Sequence, residues 1–258
     1  MDKRKLARKS VFLQNLVLRK YHMKFDIVPN GGIVTQPMTY DFVSQPLTNE
    51  FERYCDYTRY RTFELIADEI RSRFTKEQLV DLCVAEAGVY MGDFAWILNQ
   101  RFPESKLYLY DTFEGFDKLD MENEVKCSNM GEDVVKLYNS YFNNEGISAE
   151  DKIQSVKCKM KYQDQCIFKK GYFPDSAKGD EGNKWVFVSL DMDLYTPILA
   201  GIRFFWPNLV EGGYMFIHDY NHRDLTGVKQ ALNEVESEFG IFKKVPISDW
   251  GGTVILCK

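Results

Sequence analysis

Leu79-Val80-Asp81-Leu82-Cys83-Val84-Ala85-Glu86-Ala87-Gly88-Val89-Tyr90-Met91-Gly92-Asp93 is the stretch that decides the fold. Its first seven residues form a short, mostly apolar run of the kind that makes a parallel strand buried on both faces. The run ends at Glu86 in a turn carrying Gly88 and Gly92, and a helical stretch from Gly92 to Arg101 stops before Pro103, which disfavours helix in the residue preceding it. Strand, glycine turn and helix make the opening unit of an open α/β sheet.

The same texture repeats downstream. Lys106 to Asp111, Cys166 to Lys170, Trp185 to Asp191 and Gly213 to Asp219 read as four more strands. Residues 131 to 146, Pro197 to Trp206 and Thr226 to Phe239 read as helices between or after them. Two closing strands, near 241 to 247 and 252 to 257, flank Asp249-Trp250-Gly251-Gly252, whose glycines suit a hairpin. The predicted fold is therefore α/β: a doubly wound, mostly parallel seven-stranded sheet, closed by an antiparallel hairpin.

Upstream, apolar and aromatic positions from Thr48 to Phe74 recur at helical spacing and predict an N-terminal helical extension. Residues 25 to 50 hold Pro29-Asn30-Gly31-Gly32, Pro37 and Pro46, carry no clear period and read as an irregular arm. Residues 1 to 24 place eight Lys/Arg around Val11-Phe12-Leu13 and Leu16-Val17-Leu18, a basic amphipathic helix. We read it, with His22, as a packing or oligomerisation arm, with a solvated extension and a membrane-surface anchor as the alternatives. The division is residues 1–47 as basic arm and 48–258 as the domain, in an expected homo-oligomer.

Composition bounds the function. The 258 residues are 45% hydrophobic and 28% charged, enough for one large α/β domain. A net charge of −5 argues against a nucleic-acid partner, which needs a basic face. Six cysteines are scattered without a CxxC or zinc spacing and read as thiols of a reducing, cytoplasmic compartment. Gln14 and Asn15 split the first apolar run, no small-residue cleavage site follows it, and no stretch approaches bilayer length.

The polar residues that carry chemistry fall at carboxyl ends of strands, where open α/β sheets bind ligands. Glu86 offers a carboxylate for a cationic amino-acid moiety, and Gly88 and Gly92 let backbone approach a ligand. Tyr90 stands where a dinucleotide fingerprint has its second glycine, which weakens a pyrophosphate cradle. Asp111, 23 residues beyond Gly88, is placed to hydrogen-bond ribose, with Thr112 and Phe113 beside it. The set suits adenosine with a charged amino-acid tail; ordinary capping acids are the plainer reading. Asp191, Asp193, His218 and Asp219 form a second set, at two strand ends, with the carboxylates and imidazole of a divalent metal site or, more plainly, of helix caps. His222 is an acid/base candidate or a loop residue, and Lys169-Lys170 would suit phosphates of a sugar nucleotide or form a solvated charge pair.

Four blocks together resemble the macrocin/mycinamicin family of sugar O-methyltransferases: Ala85 to Ala95, Leu109 to Phe116, Leu190 to Pro197, and Glu211 to Tyr214 followed by His218-Asp219-Tyr220. The resemblance spans about residues 80 to 240 and implies a class I, Rossmann-like methyltransferase. It implies S-adenosylmethionine as cofactor at Glu86, Gly88, Tyr90, Gly92, Asp111, Thr112, Phe113 and Asp191. It also implies a divalent metal at Asp191, His218 and Asp219, with Asp193 as base. His218 replaces the first Asp of the family's pair, which moves the expected preference from Mg towards Mn, Fe or Co. The expected acceptor is a sugar hydroxyl, favoured as a nucleotide-activated sugar for bacterial surface polysaccharide. A glycosylated natural product or a catechol-like molecule is the alternative; a nicotinamide oxidoreductase and a non-catalytic assembly protein are the readings from other classes.

Overall fold

The computed structural model describes residues 23–27, 33–37, 56–128, 130–142, 147–249 and 251–258. The chain divides into two units, Met1–Thr48 and Asn49–Lys258. In the first, β1 (Met23–Ile27) and β2 (Ile33–Pro37) pair antiparallel, from Met23 opposite Pro37 to Ile27 opposite Ile33. This corrects the expectation of an irregular arm over residues 25 to 50 and of helix at Met23 and Lys24. The β-branched and aromatic residues Phe25, Ile27, Ile33, Val34 and Thr35 favour strands on either side of a turn-forming sequence. The rest of the predicted basic helix, including His22, lies outside the described residues.

The second unit begins with α1 (Tyr57–Arg73) and α2 (Lys76–Val80). Phe63, Ala67 and Ile70 are buried along one stripe of α1, at the spacing a helix needs to face a core. Phe63 packs edge-on against Phe187 of the sheet at 4.8 Å and Phe94 at 5.3 Å. Leu79 and Val80, expected to open a strand, end α2 instead. Thr75 and Gln78 make a reciprocal capping box that starts a helix there.

There follow β3 (Cys83–Ala87), α3 (Asp93–Arg101), β4 (Lys106–Asp111), α4 (Lys118–Cys127), α5 (Glu132–Phe142), α6 (Ala149–Lys159), β5 (Cys166–Lys170) and β6 (Trp185–Leu190). The chain ends with α7 (Tyr195–Phe205), β7 (Leu209–Ile217), α8 (Thr226–Phe239), β8 (Lys244–Pro246) and β9 (Val254–Cys257). The seven strands run in the order β5-β4-β3-β6-β7-β9-β8. The first five are parallel, and β9 is antiparallel to both neighbours. β3 and β6 are buried along their whole length, as central strands of a doubly wound sheet are.

The strand order reverses between β3 and β6, so a crevice opens at their carboxyl ends. The two strand ends are unusually close there. Gly88 is left-handed (φ +87°), and a Cβ on it would lie 1.8 Å from the carbonyl oxygen of Asp191. Glycine at 88 is thus required by strand contact, where the sequence suggested ligand approach.

Helices α4 and α6 were not read from the sequence. Each has a clear cap, Asp117 for α4 and Ser148 for α6, but charged residues surround both and blur the apolar stripe. Buried Glu124 anchors α4: its Oε2 accepts from the backbone N–H of Tyr195 at the start of α7 (2.6 Å), and a Cβ on Gly227 of α8 would collide with its carboxylate. Among the described residues, no helix is long and apolar enough to cross a membrane. Phe63→Ala, which removes the ring joining α1 to the sheet, is expected to cost about 3–5 kcal/mol of stability, checked by chemical denaturation.

Candidate active site

A cavity of about 510 Å³ occupies the crevice at the ends of β3, β4, β6 and β7. Glu86, Gly88, Tyr90, Asp111, Thr112, Phe113, Asp191, Asp193, His218, Asp219 and His222 all line it. Gly92 does not line it. That residue is left-handed (φ +77°), and a Cβ on it would press on the Val156 side chain at 2.5 Å. It therefore serves the packing of α6 against the turn.

On one side of the cavity, Asp111 ties two loops together. Its Oδ2 accepts from the backbone N–H of Val89 (2.6 Å) and Tyr90 (2.8 Å), and its Oδ1 from that of Phe113 (2.6 Å). Tyr90 (φ +49°) and Phe113 (φ +56°) adopt left-handed backbone under this restraint. Lys152 of α6 donates from Nζ to the Phe113 carbonyl at 3.0 Å. Below the turn Glu86 is 2% exposed, with Oε2 lacking a partner among the described residues. Burial pushes its carboxyl well above the usual range, against the opposing charge of Arg59, which favours the neutral acid.

On the other side lies the acid centre. His218 Nδ1 stands 2.8 Å from Asp191 Oδ1 and 2.9 Å from Asp219 Oδ2, and the ligand atoms of these three residues all lie within 4.8 Å of one another. Gly251 makes room for the imidazole, since a Cβ there would lie 2.5 Å from two ring atoms. Asp191 Oδ2 accepts from Arg59 Nη1 at 2.8 Å, and Arg59 Nε lies 3.0 Å from Asp56. Burial would raise the Asp191 carboxyl, but His218 and Arg59 outweigh it and hold it well below the ordinary range. Burial would lower His218, but Asp191 and Asp219 hold it well above its ordinary value. Asp193 (φ +61°) is raised by burial first, then by Asp219, with which it shares a hydrogen bond, and by Asp191.

Arg59 and Asp56 were missed by sequence reading. Their trace was a charged pair three residues apart at the head of a helix whose core-facing positions are otherwise apolar. Burial pushes Asp56 up to about 6. Asp56, His218 and Asp249 form a second group within 4.8 Å, but both oxygens of Asp249 are already engaged by Thr253. Asp120 of α4 also lines the cavity; burial, then Asp117, pushes it up to about 7, and it accepts from the Tyr172 hydroxyl at 3.3 Å.

His222 Nδ1 accepts from the backbone N–H of Asp224 and Leu225. Lys169 pairs with Asp180 at 2.8 Å, and Lys170 with Glu150 and Glu114 at 3.1 and 3.2 Å; neither lysine lines the cavity.

The family model described as Macrocin-O-methyltransferase (TylF) matches residues 57–255, so the chain belongs to that family. A curated relative from Streptomyces olivaceus, 8-demethyl-8-(2,3-dimethoxy-alpha-L-rhamnosyl)-tetracenomycin-C 4'-O-methyltransferase, is 30% identical over 90 residues. That match covers 35% of this chain and about a third (33%) of the relative. Among solved structures, the O-methyltransferase NovP superposes with a TM-score of 0.62 at 17% identity, over 78% of this chain and 79% of that one. CalS11, titled Calicheamicin Methyltransferase, gives 0.55 at 13% identity over the same shares; its apo structure, titled TDP-rhamnose 3'-o-methyltransferase, gives 0.50 at 13%. These likenesses show the class I methyltransferase fold.

The raised pKa of buried Glu86 makes a pH prediction. Because folding raises its pKa, its ionisation in the unfolded chain draws stability away as pH rises above about 4.5, with a limiting slope of about 1.4 kcal/mol per pH unit. Glu86→Gln, neutral at every pH, is expected to melt with the ligand-free wild type at pH 4 and above it at pH 8. Parallel melting curves across that range would show that the carboxyl ionises in the fold.

Proposed function

We propose that this member of the macrocin-O-methyltransferase family transfers the methyl group of S-adenosylmethionine to a sugar hydroxyl of a glycosylated natural product. The observation that carries the reading is that the Glu86–Asp111 turn and the Asp191/Asp193/Asp219 centre open into one cavity. A wall rich in carboxyls favours a donor bearing a sulfonium and an ammonium. Asp111 Oδ1 keeps one unused lone pair for a ribose hydroxyl. The sugar acceptor is supported by the family and by the name of the Streptomyces olivaceus relative.

The expectation of a nucleotide-activated sugar for surface polysaccharide gives way to its alternative. Its hint was Lys169-Lys170, and both lysines are committed to carboxylates away from the cavity. The cationic side chains that do line it, Arg59, Lys152 and a His218 held above its ordinary value, already face Asp191, the Phe113 carbonyl and the Asp191/Asp219 pair, while Asp93, Asp111 and Asp117 add to the acids. A diphosphate would enter a field of its own sign; a neutral glycoside meets no such opposition.

Asp191, His218 and Asp219 fit a divalent ion: one imidazole nitrogen stands between two carboxylate oxygens, a mixed donor set that suits Mn, Fe or Co as well as Mg. Bound there, such an ion would lower the pKa of a hydroxyl. The chain's own residues supply the rest. Arg59 fixes Asp191 by one oxygen and leaves the other facing His218. The ionised form of Asp193, which burial and Asp219 disfavour, takes the acceptor's proton on Oδ as the hydroxyl oxygen bonds to the methyl carbon; the carbon–sulfur bond breaks and its electrons stay on sulfur. Holding donor and acceptor in line in a shared cavity lowers the barrier through proximity.

Two outcomes are expected. Asp193→Asn is expected to lose about 10²- to 10⁴-fold in kcat while binding S-adenosylmethionine as the wild type does in calorimetry; full turnover would remove Asp193 as the base. With Mn²⁺ or Mg²⁺ present, mass spectrometry is expected to find methyl transfer to rhamnosylated tetracenomycin and none to TDP-rhamnose. The reverse preference would restore the nucleotide-sugar reading.

A further inference from the structure

His222 lies in the turn between β7 and α8, and both its backbone and its ring are held. Its backbone N–H donates to the Asp219 carbonyl at 3.0 Å. The Tyr138 ring of α5 meets it edge-on, with centroids 6.2 Å apart, and the Tyr138 hydroxyl donates to Asp224 Oδ2 at 3.3 Å. Nδ1 accepts from two backbone donors, Asp224 N–H at 3.2 Å and Leu225 N–H at 3.3 Å.

The last contact fixes the tautomer. A nitrogen facing two N–H groups must present its lone pair, so the proton of the neutral ring sits on Nε2. Moving it to Nδ1 would break both contacts and set N–H against N–H in the turn that leads into α8. Nε2–H has no partner among the described residues, and the ring lines the cavity beside Asp219. An imidazole fixed in this way gives a hydrogen bond at Nε2 and cannot accept a proton there.

We infer that His222 is a fixed hydrogen-bond donor to the methyl acceptor, holding a lone pair of a sugar oxygen through Nε2–H and leaving the acceptor's proton to another group. The inference rests on the reading of the cavity as a methyl-transfer site and deepens it. His222 becomes a specificity-determining contact, replacing the acid/base role the sequence suggested. The recognised chemistry is an ether, glycosidic or hydroxyl oxygen, the commonest features of a neutral glycoside. A donor at this point orients the sugar ring relative to Asp193, which lines the same cavity.

Two measurements decide it. Long-range ¹⁵N–¹H spectra of histidine-labelled protein at pH 7.5 contain three imidazoles, and His222→Gln identifies the one in question. The Nε2–H tautomer is expected; an Nδ1–H tautomer overturns the inference. Kinetics then follow with rhamnosylated tetracenomycin as acceptor. His222→Phe is expected to raise the acceptor KM about 3- to 10-fold, the worth of one neutral hydrogen bond, with kcat and donor affinity little changed. His222→Gln, whose amide nitrogen stands near the place of Nε2, is expected to recover most of that loss. A kcat lower by about 100-fold or more in both variants at unchanged KM would make His222 an acid/base group and sink the donor role. Failure of the cavity reading is seen separately, as wild-type protein that methylates neither the glycoside nor TDP-rhamnose; the donor role then falls with it.

Discussion

The ion pair between Arg59 and Asp191 is the constraint on which the site depends. Asp56, Asp191, Asp193 and Asp219 converge on one part of the cavity lining, partly or fully buried, where added negative charge is costly unless a counter-charge is present. Arg59 supplies that charge from a buried position, 2.8 Å from Asp191 and stacked 4.3 Å over the Phe94 ring. The guanidinium comes from α1, which is no part of the sheet. The aromatic contacts of Phe63 that dock α1 on the sheet therefore also hold the charge balance of the reacting centre.

Two carboxyl residues on the floor of the same cavity show how environment divides similar groups. Glu86 has no partner for one oxygen among the described residues, and burial favours its neutral form; Asp111 has three backbone donors and acts as a tie between the loops after β3 and β4. Both sat at strand ends in the sequence and looked alike there. What separates them is the position of the backbone N–H groups around each, which is a property of the folded turn.

Much of the scaffold was legible in the chain itself. The central strands β3 and β6 are mostly apolar runs, broken only by Glu86 and Ser189, and the helix from Thr226 to Phe239 carries a strong 3.6-residue pattern. The residues at strand ends were found for the same reason, because a parallel sheet collects them at one edge. The parts that were missed have no such periodicity. α4 and α6 are bounded by caps and clothed in charge, α2 depends on a reciprocal cap that outweighs an apolar pair, and the β1–β2 pair is only two runs of five residues. Arg59 was hidden for a different reason: its partner Asp191 is 132 residues away, and only the docking of α1 brings them together. Gly88 carries a second constraint that the sequence did not show, since the atom nearest its absent side chain is the carbonyl oxygen of Asp191, just past β6.

Tyr90, Phe113, Asp193 and Asp219 all hold left-handed backbone without being glycine, and all four line the cavity. A left-handed L-residue costs on the order of 1–2 kcal/mol, and a β-branched side chain would cost more. The rim of the cavity is thus written in a conformational dialect that Val, Ile and Thr cannot speak. Change in what the cavity accepts is left to lining positions outside these four, such as Asp120 of α4, Tyr138 of α5 and His222, while the four corners of the site stay fixed in shape.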